Sequence, residues 1–229
     1  MNKIIVIEGT DCSGKETQSK LLIERLNKEN INTDYITFPN YDSPTGKIIA
    51  GPYLGKKDKD EYGNELFTKP LFSEGSSNVN PKVSSLYFAA DRLYNINNIK
   101  EKLKEKNLVF NRYVYSNMAH QGGKILDFEE RNNMYEWINK LEFELLELPQ
   151  ADIKIFLHMP YEQECKLKKN RKYLDQNELD ENYLRKSEQA YIEVSKKYNF
   201  KTIECVINNK IRTIEDISEE IYNYVKSKI

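Results

Sequence analysis

Apolar bursts of strand length alternate along this chain with segments of helical period. Ile4–Ile7 is a short β-branched run closed by Gly9, the pattern of a parallel strand buried on both faces. Thr17–Lys28 sets Leu21, Leu22 and Leu26 among polar residues and predicts a helix with one inward stripe. Thr33–Phe38 predicts a second strand, stopped by Pro39, and Lys47–Leu54 a short helix broken near Gly51 and Pro52. Gly55–Pro81 is charged and rich in Gly, Ser, Asn and Pro, so a loop or small insertion is expected over about 55–82. Helical period returns over Val83–Lys106, followed by a strand at Leu108–Phe110 and an amphipathic helix at Phe128–Leu146. Ile153–Leu157 predicts a buried strand, Tyr161–Lys169 and Glu178–Tyr198 helices, Thr202–Val206 a last strand and Ile214–Val225 a closing helix.

Alternation of this kind implies βαβ units with right-handed crossovers, and hence an α/β fold whose parallel sheet is covered on both faces. Ligands of such sheets bind beyond the carboxyl ends of the strands. That rule places Gly9–Lys15, Pro39–Ser43, Asn111–Gln121 and His158–Tyr161 on one rim. The 229 residues suit a single domain over 1–229.

Composition narrows the function classes. Charged residues are 31% of the chain and the formal net charge is −1, so no global field favours nucleic acid or an anionic membrane. No apolar run approaches the roughly 20 residues of a membrane helix. The first apolar run ends in Glu8 and Asp11, unlike a signal peptide. Three scattered cysteines and two histidines support neither a disulfide framework nor a zinc site; a reducing, cytoplasmic setting is expected.

The chemistry is first legible at Gly9-Thr10-Asp11-Cys12-Ser13-Gly14-Lys15, which fits the first seven positions of a Walker A phosphate loop. Glycines let such a loop curl so that backbone N–H groups face one anion, and the helix it opens favours phosphate at its N-terminus. Lys15 supplies a positive charge for the β- and γ-phosphates. The eighth position, normally Ser or Thr for Mg²⁺, is Glu16, with Thr17 next. A carboxylate is a hard oxygen ligand, so Glu16 is the candidate metal contact, directly or through water.

From this loop onward the chain resembles thymidylate kinases almost end to end. IVIEGTDCSGKETQSKLL is similar to that family's opening, FPNY at Phe38–Tyr41 to its FPxR or FPxY segment, and FAADR at Phe88–Arg92 to its FxANR-like helix. NRYVYSNMAHQGG at Asn111–Gly123 resembles DRYxxSNxAYxxG, and IRTIEDISEEI at Ile211–Ile221 the closing helix. The resemblance implies a P-loop kinase fold with a central five-stranded parallel sheet and a lid. It further implies ATP with Mg²⁺ as donor, dTMP as acceptor, and a homodimer. ATP would lie on Gly9–Lys15 with Glu16 and Thr17. Phe88 would stack on the pyrimidine, Arg92 donate to thymine O4, and Asn117 pair with the N3–H edge. Asp11 would accept from the sugar 3′-hydroxyl, Tyr41 and Arg112 would hold the acceptor phosphate, and Phe38 and Gln121 would complete the pocket. His120 stands where similar proteins carry a Tyr under the sugar. The basic run Lys166–Lys172 falls where the family has its lid, about 166–180, with Arg171 and then Lys172 as candidates to stabilise the transferring phosphoryl group. Lys15, Arg112 and Arg171 are thus the expected catalytic residues.

Two departures leave alternatives open. The family's Asp-Arg pair is Asn111-Arg112 here, and Glu16 has appeared beside the phosphate loop. The two changes either compensate, Glu16 taking over the acidic contact, or mark a nucleotide-binding homologue with weakened catalysis. A kinase for another deoxynucleotide or a nucleoside is the other rival. No NKxD guanine motif is present, which disfavours a GTPase.

Overall fold

The computed structural model describes residues 2–56, 58–59, 65–66, 70–168 and 180–229. Arg171, Lys172 and most of the expected lid fall outside the described residues.

Five strands form one parallel sheet: β1 (Ile4–Gly9), β2 (Thr33–Thr37), β5 (Asn107–Asn111), β6 (Ile153–His158) and β7 (Lys201–Glu204), in the order β2-β5-β1-β6-β7. All four pairings are parallel, so the expected five-stranded parallel architecture is found. β1 at the centre is buried along its whole length. Its residues alternate between two cores: Ile4 and Val6 join Phe110, Met118, Phe156 and Tyr191 on one face, whereas Ile5 and Ile7 join Leu22, Leu26, Ile155 and Ile221 on the other. The second core is closed by α1 (Lys15–Lys28) and α9 (Ile214–Lys226).

Between β2 and β5 run α2 (Pro44–Ile48), a π-helical turn at Ile49–Tyr53, the two-residue antiparallel strands β3 (Asp58–Lys59) and β4 (Glu65–Leu66), α3 (Pro81–Tyr94) and α4 (Ile96–Glu105). The predicted helix Val83–Lys106 is therefore two helices. Asn95 separates them: its side-chain N–H donates to Asp91 O at 2.7 Å, competing with the backbone ladder. α2 starts earlier than predicted because Ser43 accepts from Gly46 N–H and Pro44 opens the first turn. Part of the expected loop is packed rather than free: Leu71 N–H donates to Pro52 O, and Ser76 and Val79 are buried.

The first core receives α5 (Val114–Gly122), α6 (Phe128–Asn139) and α8 (Glu181–Lys197), with Ile99 of α4, whereas α7 (Tyr161–Lys168) packs Tyr161 with Tyr183 and Leu184 in a separate small cluster. No helix was predicted at α5. Eight of its nine residues are buried, so it carries no amphipathic stripe to read. The predicted helix Phe128–Leu146 changes at Lys140–Leu145 into a π-helical turn that carries Glu142 into the interior. β8 (Val206–Ile207) and β9 (Lys210–Ile211) form a hairpin through Asn208 and Asn209, both at positive φ. Among the described residues, no helix is long and apolar enough to cross a membrane.

Candidate functional site

The phosphate loop joins β1 to α1. Gly9 must be glycine: a Cβ there would lie 2.6 Å from Leu157 O and 2.5 Å from Ser13 Oγ. Gly14 sits at φ +81 and caps α1 without any side-chain hydrogen bond. The first-turn N–H groups of α1 are thus left to an anion. Five other helix starts are capped by a side chain, at Ser43, Asn80, Asp127, Asp180 and Thr213, whereas α4, like α1, has none. Thr10 and Ser13 turn inward, Thr10 Oγ1 donating to Met159 O at 2.8 Å and Ser13 Oγ to Thr10 O at 2.8 Å. They shape the loop, while Asp11, Cys12, Gly14, Lys15, Glu16 and Thr17 line a cleft of about 700 Å³.

The same cleft is lined by Phe38, Tyr41, Phe88, Arg92, Arg112, Asn117, His120 and Gln121. Residues from both predicted subsites therefore face one hollow, although they come from β1, β2, α3, β5 and α5. Of the four predicted rim segments, His158–Tyr161 does not line it. That segment instead backs the phosphate loop through Thr10, and His158 hydrogen-bonds Glu188 at 2.9 Å and Glu204 at 2.8 Å.

Lys15 Nζ donates to Thr10 O at 2.6 Å. Burial, and then the nearby Arg112, lower its ammonium to about 7 against the pull of Asp11, Glu8 and Glu164. An anion in the cleft would reverse that shift. Arg112 stands at φ +67 and donates to Asp11 Oδ1 at 2.6 Å and to Tyr191 Oη at 2.9 Å. Burial opposes the charge on Asp11, but Arg112, Lys15 and Lys168 together hold its carboxyl well below the usual range. Lys168 lies 3.5 Å from Asp11 and 2.6 Å from Glu164. Burial pushes the Glu164 carboxyl up to about 7. The root of the expected lid is thus tied to the phosphate loop.

His120 is lowered to about 3, by burial first and Arg112 next, so it is neutral. Its Nε2 lies 3.2 Å from Arg112 Nη1, a donor only, so Nε2 accepts. Nδ1 then carries the proton and donates to Tyr183 Oη at 3.0 Å. Tyr183 stacks on the imidazole and also lines the cleft.

Glu8 does not enter the cleft. Its carboxylate accepts from the N–H groups of Tyr113 at 2.7 Å and Ser116 at 3.0 Å and from Ser116 Oγ, closing the start of α5. Burial raises its pKa. Glu16 is exposed and pairs with Lys20 at 2.5 Å, one turn on. Asn111 donates to Tyr35 Oη at 2.9 Å, and its Oδ1 is buried without a partner. Among the described residues no cluster of three His, Cys, Asp or Glu could hold a metal alone.

Asn117 Nδ2 donates to Glu142 Oε1 at 2.9 Å and to Ser85 O at 3.2 Å, while its Oδ1 has no partner. Gln121 Oε1, one turn later, is also buried and unpartnered. Arg92 and Glu142 form a buried side-on pair through Nε and Nη2. Phe88 packs edge-on to Tyr53. Phe38 is mainly core, against Phe110 and Tyr113, with an edge on the cleft.

Sequence reasoning missed Lys56, whose Nζ lies 3.0 Å from Tyr41 Oη and 4.6 Å from its ring centroid. It missed Tyr183 and Glu142 too. None of the three sits in a motif with a chemical signature.

The thymidylate kinase family model matches residues 7–70 and 65–221. The probable thymidylate kinase of Methanocaldococcus jannaschii is 30% identical over 226 residues, 99% of this chain and 97% of that one. The thymidylate kinase of Plasmodium falciparum is 36% identical over 124 residues, 54% of this chain and 50% of that one. The solved thymidylate kinase of Candida albicans superposes with a TM-score of 0.70 at 21% identity, covering 99% of this chain and 92% of that one. A phosphate loop opening an uncapped helix, with a polar pocket across one cleft, therefore accompanies a match over most of the sequence: the chain belongs to the thymidylate kinase family.

Proposed function

We propose that this chain transfers the γ-phosphoryl group of ATP to dTMP, giving dTDP. The observation that carries the reading is one cleft lined both by the uncapped start of α1 with Lys15 and by Arg92 and Asn117, whose Oδ1 lacks a partner. The triphosphate lies on Gly9–Lys15. The pyrimidine stacks on Phe88, its O4 facing Arg92 and its N3–H facing Asn117 Oδ1, with Gln121 Oε1 beside it. Arg112 and Tyr41 bind the acceptor phosphate, and Lys56 supplies the positive charge that some relatives place as Arg at Tyr41's position. Asp11 accepts from the sugar 3′-hydroxyl. In-line transfer requires alignment and positive charge, and no covalent enzyme intermediate.

Mg²⁺ accompanies the nucleotide and neutralises charge on its phosphates. Asn111 Oδ1, buried at the cleft without a partner, and Glu16, at the cleft's mouth, are suited to receive the ion or its waters. Arg171, which lies outside the described residues, is proposed to stabilise the transferring phosphoryl group. The chain functions as one unit over 1–229, in the cytoplasm, as a homodimer. An apolar stripe on α3 supports the dimer: Val83, Leu86, Leu93 and Tyr94 are all exposed.

Coupled ADP release with dTMP, dUMP, dCMP, dGMP, dAMP and thymidine tests the reading. The expected result is turnover with dTMP foremost. Binding of dTMP without ADP release would leave only a nucleotide-binding homologue.

A further inference from the structure

Glu142 lies behind the cleft rather than in it. The π-helical turn Lys140–Leu145 rotates it inward, and the side chain is fully buried. It accepts from Arg92 through both carboxylate oxygens, and Oε1 also accepts from Asn117 Nδ2 at 2.9 Å. The second partner of Nδ2, Ser85 O at 3.2 Å, is likewise an acceptor only. Two acceptors on one side settle the amide: the NH₂ end must face them, which leaves Oδ1 as the unpartnered end. The same carboxylate holds the Nε and Nη2 edge of Arg92 and leaves Nη1 outside the pair.

One anion thus fixes two cleft residues as a donor beside an acceptor. That pair complements a ring with a carbonyl next to an N–H, which is the O4 and N3–H edge of thymine or uracil. Cytosine presents the reverse, an amino group next to a bare nitrogen. It would set donor against donor and acceptor against acceptor, the kind of mismatch that buried polar sites reject strongly. An asparagine free to turn its amide would accept either base at N3. We propose that Glu142 is the positioning residue that makes the pocket selective for 4-oxo pyrimidines, by locking the amide of Asn117 and the guanidinium of Arg92. This rests on the reading that Arg92 and Asn117 face the base.

The test compares the wild type, Glu142→Gln and Glu142→Asp in ADP release and in equilibrium binding with dTMP, dUMP and dCMP. Glutamine keeps the volume but can donate as well as accept, so Asn117 can turn. The expected result is a preference of at least a hundredfold for dUMP over dCMP in the wild type. E142Q should narrow it at least tenfold with the KM for ATP within twofold of wild type. E142D, still an acceptor only, should restore the ratio even where its rate falls. An E142Q enzyme that turns over dTMP with the wild-type ratio overturns the proposal while leaving the proposed function standing. Should E142Q not fold, the wild type decides: dCMP accepted within threefold of dUMP means the amide is not locked. A wild type that ignores dTMP altogether removes the reading of the cleft and this proposal with it.

Discussion

The two halves of the cleft are built in opposite ways. The phosphate side is contiguous: seven residues, from Gly9 at the end of β1 to Lys15 at the start of α1, supply the curl, the open N–H groups and the ammonium. The base side is assembled from α3, α5 and a π-helical turn, and Arg92, Asn117 and Glu142 meet only because those elements pack together. The contrast extends to helix starts. α1 is left without a side-chain cap, so its N–H groups can bind an anion. α5 begins on Glu8, whose carboxylate accepts from the N–H groups of Tyr113 and Ser116. Binding power resides where local backbone groups are left unsatisfied. Selectivity resides where distant side chains satisfy one another and leave single atoms over.

Breaking the phosphate side should have the largest effect. Lys15→Met is expected to lower kcat at least a thousandfold, about 4 kcal/mol of transition-state stabilisation, with little change in folding stability. ADP release together with urea unfolding checks both halves of that statement. Breaking the base side should instead damage the fold. Arg92→Met leaves Glu142 buried beside Asn117 alone, at a cost of about 3 kcal/mol in unfolding free energy, read as a lower urea midpoint. If R92M unfolds like the wild type, the pair is not structural.

The seam between the halves carries the two departures from the family pattern. Asn111 and Glu16 line the same cleft, so Asn111→Asp and Glu16→Thr should couple. A double variant departing from additivity by about 1 kcal/mol in the activation free energy obtained from kcat/KM is expected, and simple additivity would remove the compensation. The smallest effect lies behind the phosphate loop. Hydrogen bonds that the imidazole donates to Glu188 and then to Glu204 raise the pKa of His158 above the free value of 6.5, against burial. The folded state therefore holds that proton more tightly than the unfolded chain. The resulting stabilisation is complete below pH 6.5 and fades as the pH climbs through the raised value. Thermal unfolding of wild type and His158→Gln should show a gap in Tm that closes with rising pH.

Much of this was legible beforehand. The five strands were placed within two residues at each end, and the central ones, β1, β5 and β6, most plainly, because parallel strands buried on both faces read as unbroken apolar runs. Lys15, Phe88, Arg92, Asn117 and His120 were picked out from motifs and lie on the cleft. α5 was not seen as a helix, since burial on every side erases its period. The break at Asn95 was missed because a side chain competing for one carbonyl leaves the surrounding pattern intact. Lys56 and Tyr183 reach the cleft through folding alone.

The sequence by itself determined the strand alternation, the phosphate loop and its ammonium, because each depends on neighbours a few residues apart. Only the tertiary structure decided which way the asparagine amide faces, which carboxylate closes a helix start and which lies behind Arg92 and Asn117. Those choices depend on atoms 25 to 108 positions apart along the chain, and only packing brings them within hydrogen-bond reach.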